Sequence, residues 1–267
     1  MKISSCNISA GVCRIQGDRE SQQDSFLLDH VPDRPMLIAS VCDGMGGLTG
    51  GEQASGAAAK VLSEAFLKNP PDGCPAFSEW MQDVLITADQ EVSALKDENG
   101  RPLKAGSTCV MVLSDEREFL WGCVGDSRIM LLRSGTLYTL TRMHNLFLHL
   151  NELLRTGQID ADEYQKHAPQ GEALISYLGI GNLSLIDLSA NLIPWQEGDI
   201  LILCSDGLYK ALEDEQILAI IEESGWNVEI ASKRLCTEAH RLSKKKQDNT
   251  TVILLAYHQE EELCEDA

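Results

Sequence analysis

The 267-residue sequence contains no Cys-x-x-Cys pair and no His-Glu-x-x-His motif, which removes the usual zinc ribbons and zinc hydrolases from consideration. Its nine cysteines, at 6, 13, 42, 74, 109, 123, 204, 236 and 264, are odd in number and do not suggest a disulfide framework. Cys42, Cys109, Cys123 and Cys204 lie inside apolar runs, where a free thiol behaves as a small hydrophobe. Positive charge is also scarce: 22 Lys and Arg face 41 Asp and Glu, a formal net charge of −19. Such a surface repels a polyphosphate backbone, so DNA and RNA are excluded as partners. No apolar stretch approaches the roughly 20 residues that cross a bilayer, so no membrane is expected as a partner. The opening Met-Lys-Ile-Ser-Ser-Cys-Asn turns polar at once and lacks the apolar core of a secretion signal, so a cytoplasmic location is expected. Internal repeats, low-complexity tracts and flexible linkers are missing too. One domain over residues 1–257 follows, with a solvated acidic tail at 258–267.

What is present is an ordinary globular composition, 43% hydrophobic and 24% charged, enough to build a substantial core. Short apolar runs predict strands over Met36–Cys42, Cys109–Leu113, Phe119–Val124, Arg128–Leu132, Leu183–Ile193, Ile200–Cys204 and Thr251–Tyr257. The short polar connections Ser114–Glu118 and Arg133–Thr136 suit hairpins and antiparallel pairing. Apolar spacings of three and four predict helices over Glu52–Leu67, Phe77–Leu95, Asn145–Thr156, Asp214–Ser224 and Asn227–Ser243. Helices interrupting runs of strands without strict alternation indicate an α+β domain, two sheets face to face with helices outside.

The most informative pattern is a carboxylate placed repeatedly at the end of an apolar strand. Asp43 stands in Val-Cys-Asp-Gly-Met-Gly-Gly, Asp126 in Val-Gly-Asp-Ser-Arg, and Asp206 in Leu-Cys-Ser-Asp-Gly-Leu. Asp248 precedes a strand in Gln-Asp-Asn-Thr-Thr-Val-Ile, and Asp24 opens a short apolar run after Arg-Glu-Ser-Gln-Gln. Any one of these is an ordinary turn, since Asp-Gly is a common turn dipeptide. Five converging acids would repel one another unless cations were bound between them. An all-oxygen donor set of this kind suits Mg²⁺ or Mn²⁺, and two such ions can activate a water and aim it in line at phosphorus. Glycine after Asp43 allows a close turn, so the Gly44 carbonyl is a further candidate ligand.

Taken in order, R-x-x-Q-Q-D-S-F, V-C-D-G-M-G-G, G-S-T, G-D-S-R, L-T-x-x-H, C-S-D-G-L and D-N-T-T resemble the metal-dependent protein phosphatases, the PPM or type 2C serine/threonine family, in a microbial-type form. The similarity runs from about Ile8 to Tyr257. It implies a β-sandwich of two mainly antiparallel sheets, flanked by helices on both outer faces, with metals in a channel at one end. It also implies hydrolysis of phosphoserine and phosphothreonine in proteins by a metal-activated water, without a covalent intermediate. By that resemblance Asp43 bridges two ions, Asp206 and Asp248 hold the first, and the Gly44 carbonyl holds the second. Asp24 would support the second ion directly or through water. Asp126 would join Asp206 around a weaker third ion. Arg19, as a planar permanent cation, would clamp the substrate phosphate; taken alone, it reads first as a surface arginine paired with Glu20 or a helix end, and the motif reverses that order. Residues 145–179 resemble the family's flap beside the active site. Phosphorylated proteins and an opposing Ser/Thr kinase are the implied partners, and a monomer is expected.

Several positions depart from the family pattern. Met45 stands where many relatives carry a histidine, so no histidine acid is expected. Met143 replaces an aspartate before His144, Asn145 a serine or threonine, Gln22 an asparagine, and Thr250 an apolar residue. His144 reads as a structural histidine and Arg128 as a structural arginine. Lys244, Lys245 and Lys246 read as a solvated helix end, with steering of phosphorylated substrates as the second option. Two other functions share these motifs: a catalytically weak binding module of the same fold, and a phosphatase for a small phosphorylated metabolite.

Overall fold

The structure, a computed structural model, describes residues 2–3, 7–32, 34–73, 76–244 and 246–258. Cys6, Cys74, Cys264, Lys245 and the acidic tail from residue 259 onward lie outside these residues.

Two antiparallel sheets form the centre. The first runs in the order Lys2–Ile3, Ile8–Ile15, Thr250–Tyr257, Ile200–Cys204, Arg128–Arg133, Thr136–Thr139. The second runs Asp187–Leu188, Glu118–Val124, Cys109–Ser114, Leu37–Met45, Asp24–His30, with Ile193–Pro194 and Gly106–Ser107 added at its margins. Strand alternation explains the unbroken apolar runs. In Leu37–Met45, Leu37, Ala39 and Val41 face the opposite sheet, while Ile38 and Cys42 face helices. In Thr250–Tyr257, Ile253 and Leu255 point to the inter-sheet layer and Val252 and Leu254 to the other helical layer. All but Asp43, Met45 and Tyr257 in these two strands are buried, because both faces of each sheet are covered. Each large side chain so buried contributes about 1.5–3 kcal/mol.

Helices Gly47–Lys68 and Phe77–Ser93 cover the outer face of the second sheet through Leu62, Phe66, Met81 and Leu85. Helices Asp214–Glu223 and Val228–Leu242 cover the first through Ile217, Ile221, Leu235 and Cys236. The expected helical ends at Asn145 and Asn227 are caps. The Asn227 side chain accepts hydrogen bonds from the backbone N–H groups of Glu229 and Ile230, both at 3.1 Å. Gly157, at φ +70°, follows the C-terminal end of helix Leu146–Arg155 in the left-handed conformation.

Several elements differ from the sequence expectation. Leu183–Ile193 is not one strand; only Asp187–Leu188 and Ile193–Pro194 pair with Glu118–Val124, and the residues between them leave the ladder. Asp187 keeps its place in the ladder while its side chain pairs with Arg142. Strand Ile8–Ile15 escapes a hydropathy reading because Ser9, Gly11 and Arg14 interrupt it. Gly11 is needed for packing: a Cβ there would lie 2.0 Å from the Val228 carbonyl oxygen at the head of helix Val228–Leu242. The exposed edge strand Thr136–Thr139 and the helix Ala161–His167, which buries no residue, carry little hydropathy signal.

Candidate active site

Strand register brings the acidic turns to one end of the sandwich. In the first sheet, Cys204 lies opposite both Val252 and Arg128, and Thr250 lies opposite Ile15, so the ends next to Asp206, Asp248 and Asp126 share a rim. In the second sheet, Asp24 pairs directly with Asp43. Between these rims is a cavity of about 650 Å³ lined by Asp43, Gly44, Asp126, Asp206 and Asp248, with Arg19, Met45 and Lys246 also on its wall. Asp24 lies beneath it, 2% exposed.

Hydrogen bonds fix the supports. Asp43 N–H donates to Thr108 Oγ1 at 3.0 Å, and Thr108 Oγ1 in turn meets Ser127 Oγ at 2.7 Å beside Asp126. Asn249 ties the Arg19 loop to Asp248: its Oδ1 accepts from Gln23 N–H at 2.8 Å, and its Nδ2 donates to the carbonyls of Gln16 and Ser21 at 2.8 and 3.0 Å. A Cβ on Gly44 would lie 2.0 Å from the Gly51 carbonyl oxygen, so glycine is required for the helix Gly47–Lys68 to pack this close to the rim. Gly125, at φ +101°, lets the chain turn into Asp126. Asn249 and Thr108 were legible only as parts of the D-N-T-T and G-S-T motifs, without a role.

The acids burden one another. Burial pushes Asp43 well above the ordinary carboxylate range, and the charges of Asp24, Asp206, Asp126 and Asp248 push it further. Asp24 is raised to about 6, first by burial and then by Asp206 and Asp248, against the opposing effect of its hydrogen bonds. Asp126 is raised to about 6 by burial and by Asp206. Asp24 Oδ2 accepts from Ser205 Oγ at 2.8 Å and Thr251 Oγ1 at 2.7 Å, while its Oδ1 is buried with no hydrogen-bond partner. A buried carboxylate oxygen without a donor is costly and asks for a cation or a bound water. The donors are all oxygens, so the group fits hard divalent ions.

Two of the acids are held by cations of the chain itself. Arg19 forms an ion pair with Asp248, and Lys210 Nζ lies 2.6 Å from Asp206 Oδ2. Among the described residues, no three Asp, Glu, His or Cys side chains close on a single point as they stand.

His144 is buried at 0% exposure and serves the turn before Asp126. Its Nδ1 accepts from Gly125 N–H at 3.2 Å. Its Nε2 lies 3.2 Å from Asp187 Oδ2, an electrostatic contact outside hydrogen-bonding alignment. Burial lowers its pKa, with Asp187 acting in the opposite direction. The residues that depart from the motif are accommodated: Asn145 caps helix Leu146–Arg155 by accepting from Leu148 N–H, and the Met143 sulfur lies 3.8 Å from the Arg128 guanidinium. The 145–179 segment reaches the cavity through Leu174 and is anchored by the reciprocal backbone bonds of Ser107 and Leu178 at 2.8–2.9 Å. Buried Asp89 accepts from the N–H groups of Gly179, Gly181 and Leu183, an anchor that no motif announced.

The sequence pattern of the Protein phosphatase 2C family matches residues 14–249. The chain is 29% identical over 204 residues to the serine/threonine phosphatase stp of Listeria monocytogenes serotype 4b (strain F2365), covering 76% of this chain and 77% of that protein. The S. agalactiae serine/threonine phosphatase superposes with a TM-score of 0.80 at 25% identity, covering 94% of this chain and 100% of that one. The catalytic domain of the phosphatase PstP, solved in complex with 2 manganese ions, superposes with a TM-score of 0.72 at 24% identity, covering 94% and 99%.

Proposed function

Given that the chain belongs to the protein phosphatase 2C family, we propose that the carboxylates around the rim cavity are its catalytic centre. The protein is a metal-dependent serine/threonine protein phosphatase that uses Mn²⁺ or Mg²⁺. In this reading Asp43 would serve both ions, Asp206 and Asp248 would hold the first, and the Gly44 carbonyl and Asp24, directly or through water, would hold the second. The bound ions supply an activated water as nucleophile and neutralise charge on the phosphate, so no covalent enzyme intermediate is needed.

The chain's own residues hold and orient. Arg19, which lines the cavity beside Asp248, would turn its fork onto two oxygens of the substrate phosphate. Thr108 and Asn249 keep Asp43 and Asp248 in place through the hydrogen bonds described above. Met45 lies on the cavity wall, and no histidine does among the described residues, so a histidine does not protonate the leaving hydroxyl. Leu174 carries the 145–179 flap to the cavity edge, where a phosphorylated protein segment would enter.

The observation that carries this reading is the convergence of Asp24, Asp126, Asp206 and Asp248 on Asp43, each raising its pKa. Acids that mutually unfavourable are retained where cations neutralise them. Hydrolysis of p-nitrophenyl phosphate tests it: turnover should require Mn²⁺ or Mg²⁺, and full activity in excess chelator refutes it. Phosphopeptides competed against sugar phosphates separate a protein substrate from a small metabolite. Tight Mn²⁺ binding without turnover on any phosphopeptide would favour a binding module instead.

The same reading takes residues 1–257 as a single catalytic domain working as a monomer in the cytoplasm, opposite a Ser/Thr kinase. Pairing of Ile8–Ile15 with Thr250–Tyr257, which joins the two ends of that span, supports the first point. Among the described residues no helix is long and apolar enough to cross a membrane.

A further inference from the structure

The geometry points to Lys210 as a tethered cation that takes the place of a third divalent ion between Asp206 and Asp126, limiting the enzyme to two. The inference rests on the catalytic reading above and refines it. Lys210 follows Asp206 by one helical turn, and its backbone N–H donates to the Asp206 carbonyl at 3.0 Å, so the side chain is directed back along the same face. Its Nζ lies 2.6 Å from Asp206 Oδ2, whose side chain is only 14% exposed. Asp126 lines the same cavity as Asp206, so the ammonium is held on one of the two acids that a third ion would need.

The neighbouring residues lock this arrangement. Tyr209 Oη donates to the Asp126 carbonyl at 3.0 Å, which ties the Asp126 turn to the residue beside Lys210. The Arg128 guanidinium stacks 3.7 Å over the Tyr209 ring and holds it there. Asp126, Asp206 and Lys210 therefore form one fixed unit. An ion entering between the two acids would have to displace the ammonium from Asp206 Oδ2 while being repelled by it. The two core ions would meet less of this conflict, because Lys210 takes only Oδ2 of Asp206 and leaves its other oxygen.

The test is Mn²⁺ binding to the full chain, stripped with chelator and followed by calorimetry and by equilibrium dialysis with metal analysis. Wild type should bind two ions, and Lys210→Gln should bind a third with a Kd at least tenfold lower than any third site of wild type. Lys210→Arg should remain at two, because it keeps the charge. Asp126→Asn in the wild-type background should leave the two-ion stoichiometry unchanged, a measurement that does not depend on the Lys210 variants folding. An unaltered stoichiometry and affinity in Lys210→Gln, or loss of an ion in Asp126→Asn, would overturn the inference. A wild type that binds no Mn²⁺ at all would instead sink the catalytic reading.

Discussion

Removal of divalent ions should invert the pH dependence of this protein's stability. Asp24 is raised from 3.8 to about 6 in the folded chain, chiefly by burial. A carboxyl that is harder to ionise when folded contributes stability below its unfolded pKa and loses it as pH rises through its folded one. The window is therefore pH 4 to 6 and slightly above, and the ion-free protein should weaken across it. At roughly 1.4 kcal/mol per pH decade, Asp24 alone accounts for about 3 kcal/mol. Asp126, raised to about 6 by burial and Asp206, acts in the same direction, and Asp43 also rises. Because the acids share their repulsion, the total is not a simple sum, and a loss of about 3–5 kcal/mol between pH 4.5 and 7.5 is expected. With saturating Mn²⁺ the trend should reverse, since ions bind the deprotonated ligands and their binding energy adds to folding. Urea denaturation in chelator and in Mn²⁺ at several pH values measures both arms. Ion-free stability that rises from pH 5 to 7.5 would refute the reasoning, as would parallel curves with and without Mn²⁺.

Asp43→Ala and Asp206→Ala should each lower kcat on p-nitrophenyl phosphate by at least about 100-fold while leaving far-UV circular dichroism intact. Arg19→Lys keeps the charge but loses the fork; at about 1.5–3 kcal/mol for a charge-assisted hydrogen bond, KM should rise roughly tenfold or more, with a smaller change in kcat. The same variant should not weaken Mn²⁺ binding, because Arg19 pairs with Asp248 but is not itself an oxygen donor to the ions. Gly44→Ala places a methyl 2.0 Å from the Gly51 carbonyl, and overpacking of this kind should cost about 1–3 kcal/mol in denaturation midpoint measurements.

The sheets were legible because they are buried on both faces. Cys109–Ser114 and Ile200–Cys204 read as unbroken apolar runs, and their alternate residues feed two different core layers. Where an element borders solvent or is held by polar contacts, that signal fails. Leu183–Ile193 is apolar enough to suggest a strand, yet before Asp187 the segment is held by other contacts, with Leu183 N–H donating to Asp89 and the Leu185 carbonyl accepting from Ser176 Oγ. Gly11 shows the converse: a residue that weakens a strand by propensity is required there because a helix end abuts it.

The acids of the site were legible for a different reason, since strand-end Asp-Gly turns lie in the local sequence while convergence follows from topology. Once Asp24 pairs with Asp43 and Cys204 pairs with both Val252 and Arg128, the five carboxylates have little freedom to separate. What the motifs could not convey is how the chain tolerates them. Arg19, some 230 positions from Asp248 in sequence, forms an ion pair with it across the rim, and Lys210 does the same for Asp206 from one turn away. Neither partnership is implied by spacing alone: Arg19 has no sequence neighbour that points to Asp248, and an i,i+4 Asp–Lys pair is common on any exposed helix. These two cations set the competition that incoming ions must win. On the proposed reading, displacing Arg19 would deliver a phosphate clamp to the cavity, whereas displacing Lys210 would deliver nothing the reaction needs. That asymmetry is the ground for assigning the first exchange to catalysis and the second to a limit on how many ions the site admits.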